Sequence, residues 1–281
     1  MPADAEAALR IEHAGVSLSG QQDGQGPPIV LLHGLTATRR YVVMGSRTLE
    51  RGGHRVLSYD ARAHGRSSPA PGRAYEYSDL AGDLVAVLDA CGIERALLAG
   101  ASMGAHTAMR VALEHPHRVA ALALITPSFD PAIVRGQAEL ARWDALAAGL
   151  REGGVEGFIE AYDLDGVPKA WRAIQETVLR QRLSAHSHPL AVADALEVVP
   201  RSAPVADLSD LREIAVPTLI VGSRDEADPG HPLAVAERYA QLIPAAELLV
   251  EPAGPPPRSP IAWQGGQLSR AIADLAARAG A

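Results

Sequence analysis

The chain has 281 residues, 47% of them apolar, which is enough to bury a large core and excludes an unstructured or fibrous protein. Its 26 Lys and Arg against 33 Asp and Glu give a net charge of -7, and no basic block stands out that could track a phosphate backbone, so nucleic acid is not an expected partner. The single cysteine, Cys91, rules out an intramolecular disulfide, and no apolar run approaches membrane-spanning length. Acids stand in Met1-Pro2-Ala3-Asp4-Ala5-Glu6 where a secretory signal carries basic residues, so a cytoplasmic chain that does not engage a membrane is expected.

Two short apolar runs open the pattern, Pro28 to Leu32 and His54 to Tyr59, each bounded by turn residues in the manner of a buried parallel strand. The stripe Leu80, Leu84, Val87, Leu88 and Cys91 predicts a helix that carries the cysteine in its core face. A third apolar run then ends in Leu97-Leu98-Ala99-Gly100-Ala101-Ser102-Met103-Gly104-Ala105-His106, where a serine stands between glycines just as the pattern turns helical. A nucleophile elbow has this form: the bend projects the serine hydroxyl from the carboxyl edge of a sheet, and the flanking glycines permit close packing. The helix that starts at Met103 stops near Glu114-His115-Pro116, because proline cannot continue it.

Val119 to Ile125, Pro217 to Val221 and Glu247 to Val250 continue the strand series, and Leu268, Ile272 and Leu275 mark a closing helix. This alternation predicts an α/β fold, a mostly parallel twisted sheet with helices on both faces. The interval from Pro127 to Val216 is too long for a simple connection, and apolar residues recur in it at helical spacing: Leu140, Trp143, Ala147, Leu150; Val155, Phe158, Ile159, Tyr162; Trp171, Ile174, Val178. Residues 131–200 are therefore expected to form a helical cap inserted before the penultimate strand, with 1–130 and 201–281 forming the core. Its aromatic residues suit either a lid over an apolar ligand or the interior of a small subdomain.

A serine nucleophile needs a base, a group to orient the base, and donors for the oxyanion. The turn His33-Gly34-Leu35-Thr36 follows the strand Pro28 to Leu32, and the N–H groups of Leu35 and Met103 are the candidate oxyanion hole. The chain resembles the α/β-hydrolase superfamily over nearly its whole length. His33-Gly34, the segment Tyr59-Asp60-Ala61-Arg62-Ala63-His64-Gly65-Arg66-Ser67, the elbow at Ser102, and Val221-Gly222-Ser223-Arg224-Asp225 occur in that family's order and spacing. The resemblance implies the fold named above, a helical cap, and a structural role for Asp60 and His64, with Ala63 standing where a glycine is usual. It also implies that Asp225 orients the base, with Asp228 and Asp130 as alternatives.

The family places its histidine after the last strand, where this chain reads Glu251-Pro252-Ala253-Gly254-Pro255-Pro256-Pro257, and Pro255 cannot accept a proton. His231 is the one histidine beyond Asp225 and is the candidate base. His33 is expected to brace the oxyanion turn and His106 to pack. The pairs His115, His117 and His186, His188 are expected at a helix end and in a polar cap loop. Those pairs have a spacing seen in metal sites, yet no carboxylate or cysteine spacing accompanies them and no nucleotide-binding glycine loop follows a predicted strand, so no cofactor and no metal are expected. These observations predict an enzyme acting through Ser102 on an ester, thioester or carbon–carbon bond next to a carbonyl in a small apolar substrate. The alternatives are a lyase, cyclase or isomerase on the same fold, or a ligand-binding protein that lacks chemistry. A homo-oligomer is compatible with either.

Overall fold

A computed structural model describes residues 7–132, 136–224, 230–253 and 259–280. The described residues build an eight-stranded sheet in the order β1-β2-β4-β3-β5-β6-β7-β8. Its strands are β1 (Ala7–His13), β2 (Val16–Asp23), β3 (Pro28–Leu32), β4 (Arg55–Tyr59), β5 (Ala96–Ala101), β6 (Val119–Ile125), β7 (Thr218–Val221) and β8 (Ala246–Leu249). From β4 to β8 every neighbouring pair is parallel, whereas β1–β2 and β2–β4 are antiparallel. The predicted α/β sheet is thus present, with an antiparallel hairpin added at one edge.

That hairpin was not anticipated from the sequence. Its strands alternate apolar and polar residues, with Val16 and Leu18 fully buried and the residues between them half-exposed, so no continuous apolar run announces them. The tight turn at Ala14-Gly15 takes positive φ at both positions, 46° and 76°, the geometry that lets a two-residue loop follow the strand twist.

Successive side chains of the central strands point to opposite faces and feed two cores. Val30, Leu32 and Leu98 join α2 (Tyr77–Ala90), α3 (Met103–Glu114) and α7 (Leu233–Leu242) on one face. Ile29, Leu31, Leu97 and Ala99 meet α1 (Thr48–Arg51) and α8 (Gly265–Ala279) on the other. The predicted stripe of α2 is buried, and Cys91 stands at its C-cap, half-buried, with its thiol pKa pushed up by burial. Leu268, Ile272 and Leu275 bury the face of α8.

Among the described residues between β6 and β7 there are three α-helices, α4 (Gln137–Ala161), α5 (Lys169–Leu183) and α6 (Pro189–Val198). α4 breaks at Gly154, where φ is 61° and ψ is -141°. Its two halves then fold together so closely that a Cβ on Gly149 or Gly157 would strike the other glycine's carbonyl. Leu146, Leu150, Phe158, Leu183, Val192 and Leu196 bury the inner faces of these helices in the core that also receives α2 and α3. The described residues contain no helix long and apolar enough to cross a membrane.

Candidate active site

Ser102 links β5 to α3 with φ 49° and ψ -111°, a left-handed conformation that costs about 1–3 kcal/mol for a residue with a side chain. The bend is held from three sides. Ser102 N–H donates to Ile125 O at 2.9 Å, tying the serine to the end of β6. His106 N–H donates to Ser102 O at 3.1 Å, which starts α3. A Cβ on Gly104 would lie 2.5 Å from the carbonyl carbon of Leu32 and closer still to its oxygen, so only glycine lets α3 approach β3 this tightly. Gly100 faces the backbone of Gly104 with the same closeness. The two glycines of the motif therefore set the depth of the elbow, and Ser102 is left half-buried at the floor of a cavity.

That cavity has a volume of about 480 Å³, within the range of small-molecule sites. Leu35 and Met103 line it beside Ser102, and so does His231. Neither the Leu35 nor the Met103 N–H bonds to another group among the described residues, and Met103 is the first residue of α3, whose leading N–H groups have no partner within the helix. Trp143 and Phe158 of α4, Tyr162 at its C-cap, Trp171 of α5 and Trp263 from the segment before α8 form the apolar wall, with the rings of Trp171 and Trp263 meeting edge to face at 5.7 Å. Phe158 is fully buried and also lines the cavity, so this ring serves both the subdomain interior and the pocket.

His231 stands two residues ahead of α7, half-buried, and faces the same cavity as Ser102. Asp225, its alternative Asp228, and Pro255 lie outside the described residues. Asp130 is buried and closes a local turn, its Oδ1 accepting the Ala132 N–H at 2.8 Å. The segment leading to Asp225 is anchored by a residue the sequence did not single out: buried Glu251, just past β8, accepts the Ser223 hydroxyl at 2.9 Å and the Arg224 N–H.

Three other histidines, His106, His33 and His186, are committed at both ring nitrogens by their hydrogen bonds. His106 Nε2 accepts the N–H groups of Ser128 and Phe129 at 3.1 and 3.2 Å, so its proton sits on Nδ1 and donates to the Tyr77 hydroxyl at 2.9 Å. Its lone pair is spent, and it does not serve Ser102 as a base. His33 Nε2 accepts the Ala61 N–H at 2.9 Å, and its Nδ1–H donates to Gly34 O at 2.8 Å. Burial lowers the pKa of His33, although nearby Asp60 opposes the shift.

Asp60 accepts from the Arg39 backbone and guanidinium and from the Arg66 N–H, a scaffold for the loop. A Cβ on Gly65 would collide with this carboxylate, which accounts for the glycine. Ala63 takes φ 71°, a value glycine adopts without strain.

His186 departs from the polar cap loop read from the sequence. It is buried, its Nδ1 accepts the Gly65 N–H at 2.8 Å, and its Nε2–H donates to Thr36 O at 3.0 Å. Burial brings its pKa down to about 4. Its ring packs against His64 at 5.4 Å, and His64 against His33 at 5.1 Å. His64 is held neutral by burial first and by its two imidazole neighbours next. A histidine followed by Ser-His-Pro carries no pattern that separates such a position from an exposed loop. His115 and His117 pair at 6.3 Å near the end of α3, and no group of three metal-binding side chains occurs among the described residues.

A family model described as the alpha/beta hydrolase fold matches residues 27–256. A relative from Variovorax paradoxus, whose name describes a carbamate hydrolase, RutD, is 34% identical over 155 residues, 55% of this chain and 56% of its own; the chain thus spans about half the length of that relative. The solved structure of Est816, described as an N-acyl homoserine lactone degrading enzyme, superposes with a TM-score of 0.70 at 27% identity, over 86% of this chain and 91% of its own. A thermophilic esterase from Thermogutta terrifontis superposes with a TM-score of 0.78 at 24% identity, over 98% of this chain and 100% of its own, a likeness of fold.

Proposed function

The chain belongs to the alpha/beta hydrolase fold family, and from that premise we propose that it is a cofactor-free hydrolase acting on the carbonyl of a small apolar substrate through Ser102. The observation that carries this reading is the strained elbow at Ser102, opening into an apolar cavity that His231 also lines. The Variovorax relative is named for a carbamate and Est816 for an N-acyl homoserine lactone, compounds that both contain a carbonyl, which supports an ester, thioester or related acyl bond as the target.

In the proposed reaction the Ser102 hydroxyl passes its proton to His231 as its oxygen attacks the substrate carbonyl. The oxygen that gains charge is received by the N–H groups of Leu35 and Met103, one at the turn after β3 and the other at the head of α3. The tetrahedral species collapses, the leaving group takes the proton from His231, and water then releases the acid from Ser102 by the reverse sequence. Asp225 is proposed to orient the imidazole. The aromatic cap residues exclude water and select an apolar acyl or alcohol group.

A fluorophosphonate probe tests the nucleophile. Labelling of the wild type and none of Ser102→Ala is expected, with loss of p-nitrophenyl butyrate turnover in the same variant. An unlabelled wild type, or equal labelling of both, overturns the reading. His231→Gln is expected to reduce kcat by about 10²- to 10⁴-fold, the usual contribution of a general base, while leaving the fold intact. Wild-type turnover in that variant would remove His231 from the mechanism.

A further inference from the structure

The turn that carries the Leu35 N–H is held in an unfavourable shape. Thr36 is buried and adopts φ 68°, a left-handed conformation that a β-branched residue disfavours. Part of its support is local. Gly34 O accepts both the Ala37 N–H at 3.0 Å and the His33 Nδ1–H at 2.8 Å. In a planar trans peptide, fixing that carbonyl aims the Leu35 N–H in the opposite direction.

The other support comes from the far side of the cavity. Arg182, near the end of α5, donates through Nη2 to Leu35 O at 3.1 Å and to Thr36 Oγ1 at 3.0 Å. His186, three residues past that helix, donates to Thr36 O at 3.0 Å. Both carbonyls that follow the Leu35 amide are therefore bonded from the segment inserted between β6 and β7, one by α5 and the other by the loop after it. The same segment also grips the loop after β4, since Gly65 N–H donates to His186 and Ser187 N–H donates to Gly65 O, each at 2.8 Å.

We propose that Arg182 and His186 are positioning residues, a clamp through which the seated cap sets the oxyanion donor at Leu35. This rests on the proposed role of the Leu35 N–H. The clamp makes the catalytic geometry conditional on cap placement. With α5 lifted, the turn loses three hydrogen bonds, one at Leu35 O and two at Thr36, and Thr36 is free to leave its left-handed conformation, which rotates the peptides beside Leu35. An apolar ligand that draws the aromatic cap residues inward would complete the oxyanion hole by the same movement. The charged and titratable groups around His186 are Arg182 from the cap, Asp60 from the loop after β4, and His33 and His64 beneath it.

Two substitutions separate the two bonds of His186. His186→Asn keeps an acceptor near the Nδ1 position for Gly65 and loses the donor to Thr36. His186→Gln carries a donor near the Nε2 position. With p-nitrophenyl butyrate, the Asn variant is expected to lose about 10- to 100-fold in kcat, somewhat less than deletion of an oxyanion donor, with KM within about twofold. Gln is expected to recover most of that loss, and Arg182→Met to resemble Asn. Hydrogen exchange of the peptide covering residues 33–37 reads the turn without turnover, and should be faster in Asn than in wild type or Gln. Equal kcat and equal exchange in wild type, Asn and Gln overturn the clamp, as does a loss confined to KM. A wild type that neither labels with fluorophosphonate nor turns over the ester defeats the proposed function, and the catalytic role of the clamp falls with it. Unchanged exchange in an active Asn variant defeats the clamp alone.

Discussion

Three imidazoles packed together, with burial outweighing the Asp60 carboxylate near His33 and His186, are expected to make the fold sensitive to acid. His33, His64 and His186 are buried, and burial is the leading cause of the lowered pKa of each. For His186 the shift runs from an ordinary 6.5 to about 4, and a second ring proton would fall on Nδ1, the acceptor of the Gly65 N–H, and break that bond. Between these two values the unfolded chain takes up a proton that the folded chain refuses. Stability is therefore complete above about pH 6.5 and falls as pH drops through the window toward 4. A difference of about 2.5 pH units at 1.36 kcal/mol each gives about 3 kcal/mol for this one ring, a large part of the 5–15 kcal/mol that a folded domain commonly has. His33 and His64 act in the same direction.

Urea unfolding followed by circular dichroism at pH 7, 6, 5 and 4 measures this, with His186→Gln as the reference because it titrates nowhere in the range. Carboxylates contribute to both proteins and cancel. The wild type is expected to lose about 3 kcal/mol more than the variant between pH 7 and 4. Parallel pH dependences would refute the assignment of a neutral, bonded His186.

Gly104→Ala should force α3 away from Leu32, since the new Cβ meets backbone rather than a movable side chain, and about 3 kcal/mol or more of stability should be lost; an unchanged melting temperature would refute that packing. Arg62 is buried and bonds both oxygens of Asp83 at 2.7 Å and Ala74 O at 2.6 Å. Arg62→Met should cost about 3 kcal/mol in urea midpoint analysis, near the low end for a broken buried pair because His13 still bonds Asp83 at 2.8 Å. In the double variant with Asp83→Leu, most of that loss should return, and its persistence would show that the charge pair is not the cause.

The parallel half of the sheet was legible because β3, β5 and β6 are buried on both faces and must be apolar throughout. β1 and β2 were not, because one face of each is half-exposed and the alternation is diluted by polar residues. The elbow was legible for a different reason: Gly100 and Gly104 are demanded by contact with neighbouring backbone, so the constraint is written in residue type. Arg182 and His186 left no such trace, because their roles depend on contacts about 120 to 150 residues away in the chain, and a loop histidine bonded to Gly65 and Thr36 reads as any other loop histidine.

Residue type also conceals where the backbone is strained. Among the described residues, seven positions other than glycine have positive φ, and four of them follow consecutive parallel strands: Thr36 after β3, Ala63 after β4, Ser102 after β5 and Thr126 after β6. Each costs on the order of 1–2 kcal/mol relative to a relaxed conformation. Independent backbone bonds hold three of them, from Ala63 N–H to Ser68 O at 3.0 Å, Ser102 N–H to Ile125 O at 2.9 Å and Thr126 N–H to Val221 O at 2.8 Å. Those bonds lie within the sheet and its own loops, and they do not depend on the helices inserted between β6 and β7. Thr36 is different, since its hydroxyl is bonded by Arg182 of α5 and its carbonyl by His186 in the loop that follows. Strain at Ser102 is thus built into the core, whereas strain at Thr36 is supported in part by side chains from the segment inserted between β6 and β7, the part the proposed clamp requires to move. Under the proposed mechanism such a site keeps Ser102 in place through the core, while the donor at Leu35 depends in part on how the inserted segment is seated.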